Sequence, residues 1–278
     1  MRKLLFTILS VAVWCAIAAY FIFASGLNSR QKSELKVEKV EVRISDAQKV
    51  NVVSEDMVRT WLKEAGYDFT DIRMADLNTD EMRRLVAGKP FVKEARVYSD
   101  MRGIVTVEIS QRRPIVRFAT SNGYNFYYSD DNCVIPVPLG SAMHVPVVTG
   151  NFRLPFERGF FGSLDDSLDE VQKKQSNEYA FLFNLINFVK SVAEDSFWGA
   201  QIVQVVVSQK GGPERWREPE IEIVPRVGNF VVGLGTLVDI PKKLDRLMLF
   251  YRNVLPYEGW DNYRYINLKY NGQVVCSR

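Results

Sequence analysis

Leu4 to Phe23, LLFTILSVAVWCAIAAYFIF, is a run of twenty residues without a charge. At 1.5 Å per helical residue it spans about 30 Å, the thickness of a bilayer's hydrocarbon core. No other run in the 278 residues approaches it, so one membrane-spanning helix is expected at 4–23, after a tail at 1–3. The competing reading is a cleaved signal peptide, whose apolar region runs about 7–15 residues; this run is longer. Cys15 follows Val13-Trp14 in mid-run, not a small-residue cleavage site, which argues against a lipoprotein. Arg2 and Lys3 favour an inside N-terminus. Arg30, Lys32, Lys36 and Lys39 on the far flank are interleaved with Glu34 and Glu38. A three-residue tail holds no cytoplasmic domain, so residues 24–278 are placed outside the cytoplasm.

Charge narrows the partners. The chain has 36 basic and 33 acidic residues, a net +3, and Arg2 and Lys3 supply two of those charges. Such balance excludes the concentrated basic face that nucleic-acid binding needs. A hydrophobic content of 47% with 25% charged residues belongs to a folded chain. Three cysteines without a CxxC pair, and His144 as the sole histidine, point to no metal and no cofactor. Cys133 and Cys276 either pair or stay as separate thiols.

Residues 24–36 read as a linker, and 37–113 as a first domain. Val37, Val40, Val42 and Ile44 open a strand. Ser54 is an N-cap for a helix through Met57, Val58, Trp61 and Leu62, stopped at Gly66. Asp76 to Ala87 forms a second helix. Asn78 with Glu81 gives a capping box, and Gly88 and Pro90 end it. FVKEARVYSD follows as a strand with Val92, Ala95 and Val97 as core positions. A turn at Met101-Arg102-Gly103 leads into the strand Ile104 to Ile109. The order is β-α-α-β-β, an α+β layer that leaves a sheet edge open to another chain.

KPFVKEARVYSD-MRG-IVTVEISQRRPIVRF resembles the end of a POTRA (polypeptide-transport-associated) domain, specifically that of the bacterial FtsQ/DivIB family. The residues that carry the likeness are Pro90, Val92, Ala95 and Val97, then Gly103, Val105, Val107 and Glu108, then Arg113-Pro114-Ile115. Many family members have Trp-Pro before the last strand, where this chain reads Ser99-Asp100-Met101-Arg102.

Residues 114–278 read as a mixed β-sheet domain with two long helices. Strands are expected at Val116–Thr120, Asn125–Ser129 and Cys133–Pro136, and another from Val145 through Val147 and Val148. Turns fall at Asn122-Gly123 and Asp130-Asp131-Asn132. Residues 151–174 read as irregular: either a partner-binding lid or a loop pinned by Phe152, Phe156, Phe160 and Phe161. Asp165, Asp166, Asp169 and Glu170 lack the spacing of a calcium loop. Asn177 to Trp198 is a long amphipathic helix with Phe181, Leu182, Leu185, Phe188, Val189 and Val192 on one face. Strands follow at Ile202–Ser208, Glu220–Val224 and Phe230–Val232, with a turn at Gly211-Gly212-Pro213. Gly233-Leu234-Gly235 lacks the third glycine of a dinucleotide loop. Pro241 opens a helix with Leu244, Leu247, Met248, Tyr251 and Val254 on one face, and Pro256 ends it.

Tyr263 to Val275 closes the chain as a strand, with Ile266, Leu268 and Tyr270 on one face and Tyr265, Asn267 and Lys269 on the other. It is similar to the Tyr-x-Asp-Leu-Arg-Tyr-x-x-Gly ending of the FtsQ/DivIB family. Asn267 stands in place of the acid and Lys269 in place of the arginine, which costs the bidentate donors.

No serine lies in a nucleophile elbow, and His144 has no partner motif, so no catalytic residue is expected. The resemblance implies a non-enzymatic, single-span component of the division complex in the cytoplasmic membrane, at the septum. It implies coiled-coil partners, FtsB-like and FtsL-like, and a role in regulating septal peptidoglycan synthesis. It places the FtsB surface at Lys269, Tyr270, Gly272 and Val274, and recruitment to the division site on the POTRA domain. An envelope-assembly or secretion component would need a barrel that these residues cannot build, or a partner that supplies one. An anchored cell-wall hydrolase would need paired carboxylates in a cleft.

Overall fold

The computed structural model describes residues 35–45, 52–138, 143–167, 169–210 and 216–278, with positions 13, 14, 16, 17, 19 and 20. Most of the expected span at 4–23, the linker to residue 34 and the Gly211-Gly212-Pro213 turn lie outside the described residues. The six described positions of the span are helical, and Trp14 and Tyr20 on it are exposed. Among the described residues no helix is long and apolar enough to cross a membrane. The chain divides between Gln111 and Arg112 into two units.

The first unit is β-α-α-β-β, as expected. It comprises β1 (Lys39–Ile44), α1 (Glu55–Glu64), α2 (Thr79–Ala87), β2 (Val92–Ser99) and β3 (Ile104–Gln111). β3 is central, parallel to β1 and antiparallel to β2. A parallel pair needs a long crossover, and α1 and α2 lie within it. Val58, Leu62, Met82 and Val86 bury the helices; Val40, Val42, Val105, Val107 and Ile109 bury the sheet.

Local chemistry sets the ends. The Ser54 hydroxyl accepts from Met57 N, and Gly66 turns the chain at φ 90°. Asn78 caps α2 by accepting from Glu81 N at 3.1 Å, with Leu77 extended before it. The second helix therefore starts at Thr79, not Asp76, and Met74–Asp76 is a separate 3-10 turn. A bulge between Val92 and Glu94 puts Val92 and Ala95 on the buried face despite their odd spacing, while Val97 is only half-buried. The buried Gln111 accepts from Val52 N and Val53 N, at 2.9 and 2.7 Å, and so fixes the entry to α1.

Among the described residues, the second unit forms one ten-stranded sheet. Its first half holds β4 (Pro114–Thr120), β5 (Asn125–Ser129), β6 (Cys133–Pro136), β7 (Val147–Asn151) and β8 (Gly162–Ser163). Short helices α3 (Leu164–Ser167) and α4 (Glu170–Gln175) follow, then α5 (Asn177–Glu194) and α6 (Trp198–Gln201). The second half holds β9 (Ile202–Ser208), β10 (Glu220–Pro225), β11 (Val231–Gly235), α7 (Ile240–Asn253), α8 (Leu255–Glu258), β12 (Tyr265–Asn267) and β13 (Val275–Ser277). In space the order is β13-β12-β11-β10-β9-β7-β4-β5-β6-β8. α5 buries every residue of its expected stripe, with Ile186, in one core with Phe118, Val148, Val205, Ile221 and Ile223.

Several expectations need correcting. The long helix stops at Glu194, because the Asp195 carboxylate turns round to accept from Phe197 N and Trp198 N, both at 2.8 Å. Residues 151–174 contain β8, α3 and α4 and are pinned by aromatics: Phe156 meets Phe126 edge-on at 5.4 Å, and Tyr124 donates to Phe156 O at 2.9 Å. Phe161 alone of the four stays exposed. The strand expected at Phe230–Val232 runs on through Gly233 and Gly235 as β11. Pro256 opens α8 as well as following α7. Cys133 and Cys276 are free thiols, near opposite ends of the sheet.

Gly150 joins the two halves of the sheet. It has φ 106°, and a Cβ there would collide with the Val207 carbonyl of the paired strand. Gly159 has φ 85° and open space within 4 Å. Gly159→Ala should therefore cost about 1–2 kcal/mol of backbone strain alone. Gly150→Ala should cost about 3 kcal/mol or more. Chemical denaturation of both variants checks this, and equal losses would refute it.

Candidate functional site

Lys269, Tyr270, Gly272 and Val274 come together in one turn, residues 268–274, between β12 and β13. The expected single strand from Tyr263 to Val275 is instead a hairpin: β12 ends at Asn267 and pairs antiparallel with β13. The cause is local. Asn267 Oδ1 accepts from Lys269 N at 2.9 Å, which closes a turn just past the strand. Gly272, at φ 71°, then reverses the chain. Ile266 and Leu268 are fully buried, but Tyr270 does not share their face and is 54% exposed. Lys269 and Gly272 are exposed, and Val274 is half-buried against the core.

Helix α7 grips this turn from beneath. Arg246 Nη1 donates to Tyr270 O at 2.6 Å and to Gln273 O at 3.1 Å. Its Nη2 donates to Leu268 O at 3.0 Å. One turn earlier, the buried Lys243 donates to Thr236 O at 2.8 Å. Burial, then the neighbouring Arg246 charge, holds the Lys243 pKa below its ordinary value. Neither cation stands out in the sequence, where both look like the polar face of an amphipathic helix.

A second set of contacts crosses the sheet. Tyr265 Oη donates to Glu222 Oε1 at 2.8 Å, and Lys269 Nζ pairs with Glu220 Oε1. Both side chains reach β10 by passing over the glycines of β11. A Cβ on Gly233 would collide with the Tyr265 hydroxyl, and one on Gly235 would lie 2.9 Å from Lys269 Cγ. The Gly-Leu-Gly run thus gives room to two cross-strand contacts. Burial and the bond to Glu222 push the Tyr265 phenol well above its usual range. The Lys269 bond draws the Glu220 carboxyl below its ordinary value, with a smaller contribution from Lys210 at 3.7 Å.

Beyond this hairpin the sheet is open. β13 is its terminal strand, and among the described residues no strand pairs with the outer side of β13. Val275 on it is 48% exposed. The opposite edge is β8, two residues long. An unpaired edge beside an exposed tyrosine is suited to receiving an extended segment: backbone groups give affinity and alternate side chains give selectivity. In the first unit, β1 and β2 are the outer strands among the described residues, and Tyr98 on β2 is exposed.

The other candidates have structural roles. Asp131 is held by Arg112 and by the Ser129 hydroxyl at 2.6 Å. Burial pushes the Cys133 thiol up to about 11, despite Arg112 at 2.8 Å from its sulfur. His144 is exposed on an open cavity of about 230 Å³, whose lining includes Val145, Pro146, Val203 and Arg226 and, among the described residues, no serine or cysteine. Among the described residues no three His, Cys, Asp or Glu cluster as metal ligands.

Comparison with known families agrees with both units. Residues 113–277 match the family described as FtsQ/DivIB, C-terminal related. Residues 36–110 match the POTRA-like domain. No curated protein sequence matches the chain.

The Lys269–Glu220 pair has a pH dependence of known sign. A carboxyl with a lowered folded pKa stabilises above its unfolded value, here 4.5, and loses that contribution as pH falls through the folded value. The Glu220 carboxyl should titrate below 4.5 by NMR. Lys269→Met should raise its midpoint; an unchanged midpoint would refute the pairing.

Proposed function

The chain belongs to the FtsQ/DivIB family, and from that premise we propose that it is a non-enzymatic division scaffold that binds its partners outside the cytoplasmic membrane. Residues 4–23 anchor it as a single span, with the N-terminus inside. Residues 37–113, the POTRA domain, help bring it to the division site. Residues 114–278 receive FtsB-like and FtsL-like coiled-coil proteins, and the assembly regulates septal peptidoglycan synthesis.

One observation carries this reading: the outer edge of β13, with no paired strand among the described residues, lies beside a turn that gathers Lys269, Tyr270, Gly272 and Val274. An incoming strand would extend the sheet there, with Tyr270 as an aromatic anchor. Such anchors dominate interface energetics. Lys269 is already neutralised by Glu220, so a partner carboxylate at this position must compete with an internal one.

The test is binding of the extracytoplasmic part of an FtsB-like protein from the same genome. Tyr270→Ala should abolish binding and leave the thermal transition in place, because the side chain is exposed and outside the core. Normal binding by the variant would refute this surface, as would loss of binding together with loss of the transition.

A further inference from the structure

Among the described residues, Arg246 is the one side chain that touches the recognition turn from another element at three backbone points. Its guanidinium spans the carbonyls of Leu268, Tyr270 and Gln273, at 3.0, 2.6 and 3.1 Å. Those residues bracket Lys269, Tyr270 and Gly272. The start of the turn is held by Asn267 Oδ1 on Lys269 N and by the buried Leu268, but from Lys269 to Gln273 the residues are all exposed and Gly272 sits at φ 71°. We infer that Arg246 is a positioning residue for partner recognition, holding the 268–273 turn in its binding shape before the partner arrives. This rests on the reading that the hairpin is the partner surface.

The physics favours arginine. A planar guanidinium offers five donors in a rigid fork, so one residue can satisfy three carbonyls that point to a common centre. An ammonium is a compact charge on a flexible stem and cannot reproduce that span. Ordering a loop on binding costs affinity, and a loop ordered beforehand avoids that cost. Arg246 itself need not touch the partner: its donors are turned to the chain's own backbone. Its neighbour Lys243 serves a different segment, at Thr236. The Glu220–Lys269 pair holds a side chain, not the backbone of the turn.

The test compares Arg246→Lys and Arg246→Met in the full chain, with two readouts. The first is amide hydrogen exchange in the free protein, which reports local opening. Exchange should rise in residues 268–275 of both variants and stay unchanged in α5 and β9. The second is affinity for the extracytoplasmic part of the FtsB-like protein. Both variants should bind about tenfold more weakly. If Arg246 instead acted as a charge that attracts the partner, Arg246→Lys would bind like the parent. That result, or unchanged exchange at 268–275, would overturn the inference. If the parent chain fails to bind the probe, the partner reading fails, and the exchange data still decide whether Arg246 orders the turn. A variant whose exchange rises throughout the second unit would show a role in folding, which also overturns the inference.

Discussion

Everything in the second unit hangs on β7. This five-residue strand is parallel to β4 on one side and to β9 on the other, and it joins the meander β4-β5-β6-β8 to the half-sheet β9 to β13. A parallel neighbour cannot be reached by a tight turn; the chain must cross over the sheet. The crossover from β7 to β9 contains α5, whose apolar stripe becomes the lid of the core. The close approach that makes this join is paid for in one residue type, because only glycine tolerates the Gly150 backbone angle with Val207 O so near.

The same device is used again at the end of the sheet that holds the closing hairpin. β11 and β12 are also parallel, and α7 lies in their crossover. A helix in that position necessarily runs beside the strand that follows it. Arg246 and Lys243 are therefore not decorations on a solvent face. They sit on the side of α7 that meets the start of its own crossover, at Thr236, and the turn that follows β12, at 268–273. Topology supplies the proximity, and the arginine fork turns it into an ordered turn.

This explains which parts were legible in the sequence. The β5, β6 and β9 limits could be read directly because each is bounded by turn formers. The α5 stripe was legible because seven buried positions recur at helical spacing. The end of α5 was missed because Asp195 stops the helix through its own side chain, without glycine or proline as a signal. The closing hairpin was missed for a related reason. Alternation from Tyr265 to Tyr270 looks like one strand, and only the Asn267 side-chain bond and the Gly272 conformation end it. Gly233, Gly235, Glu220 and Arg246 gain meaning only from residues more than twenty positions away. No local pattern encodes that.

The edges of the sheet limit how recognition can work. A free strand edge is a hazard, since any extended chain can pair with it, and folded proteins keep such edges short. Here β8 has two residues and β13 has three. Three residues offer only a few backbone bonds, each worth about 0.5–1.5 kcal/mol net, so main-chain pairing alone gives a weak and unselective contact. If a partner pairs here, selectivity must come from side chains next to the edge, and Tyr270 is the exposed aromatic beside it. A flexible turn would lose much of that benefit to ordering entropy. On the proposed reading, a short edge, an aromatic anchor and a clamped turn form one consistent arrangement: the edge is too small to capture chance partners, and an ordered turn spares the intended one the cost of ordering it.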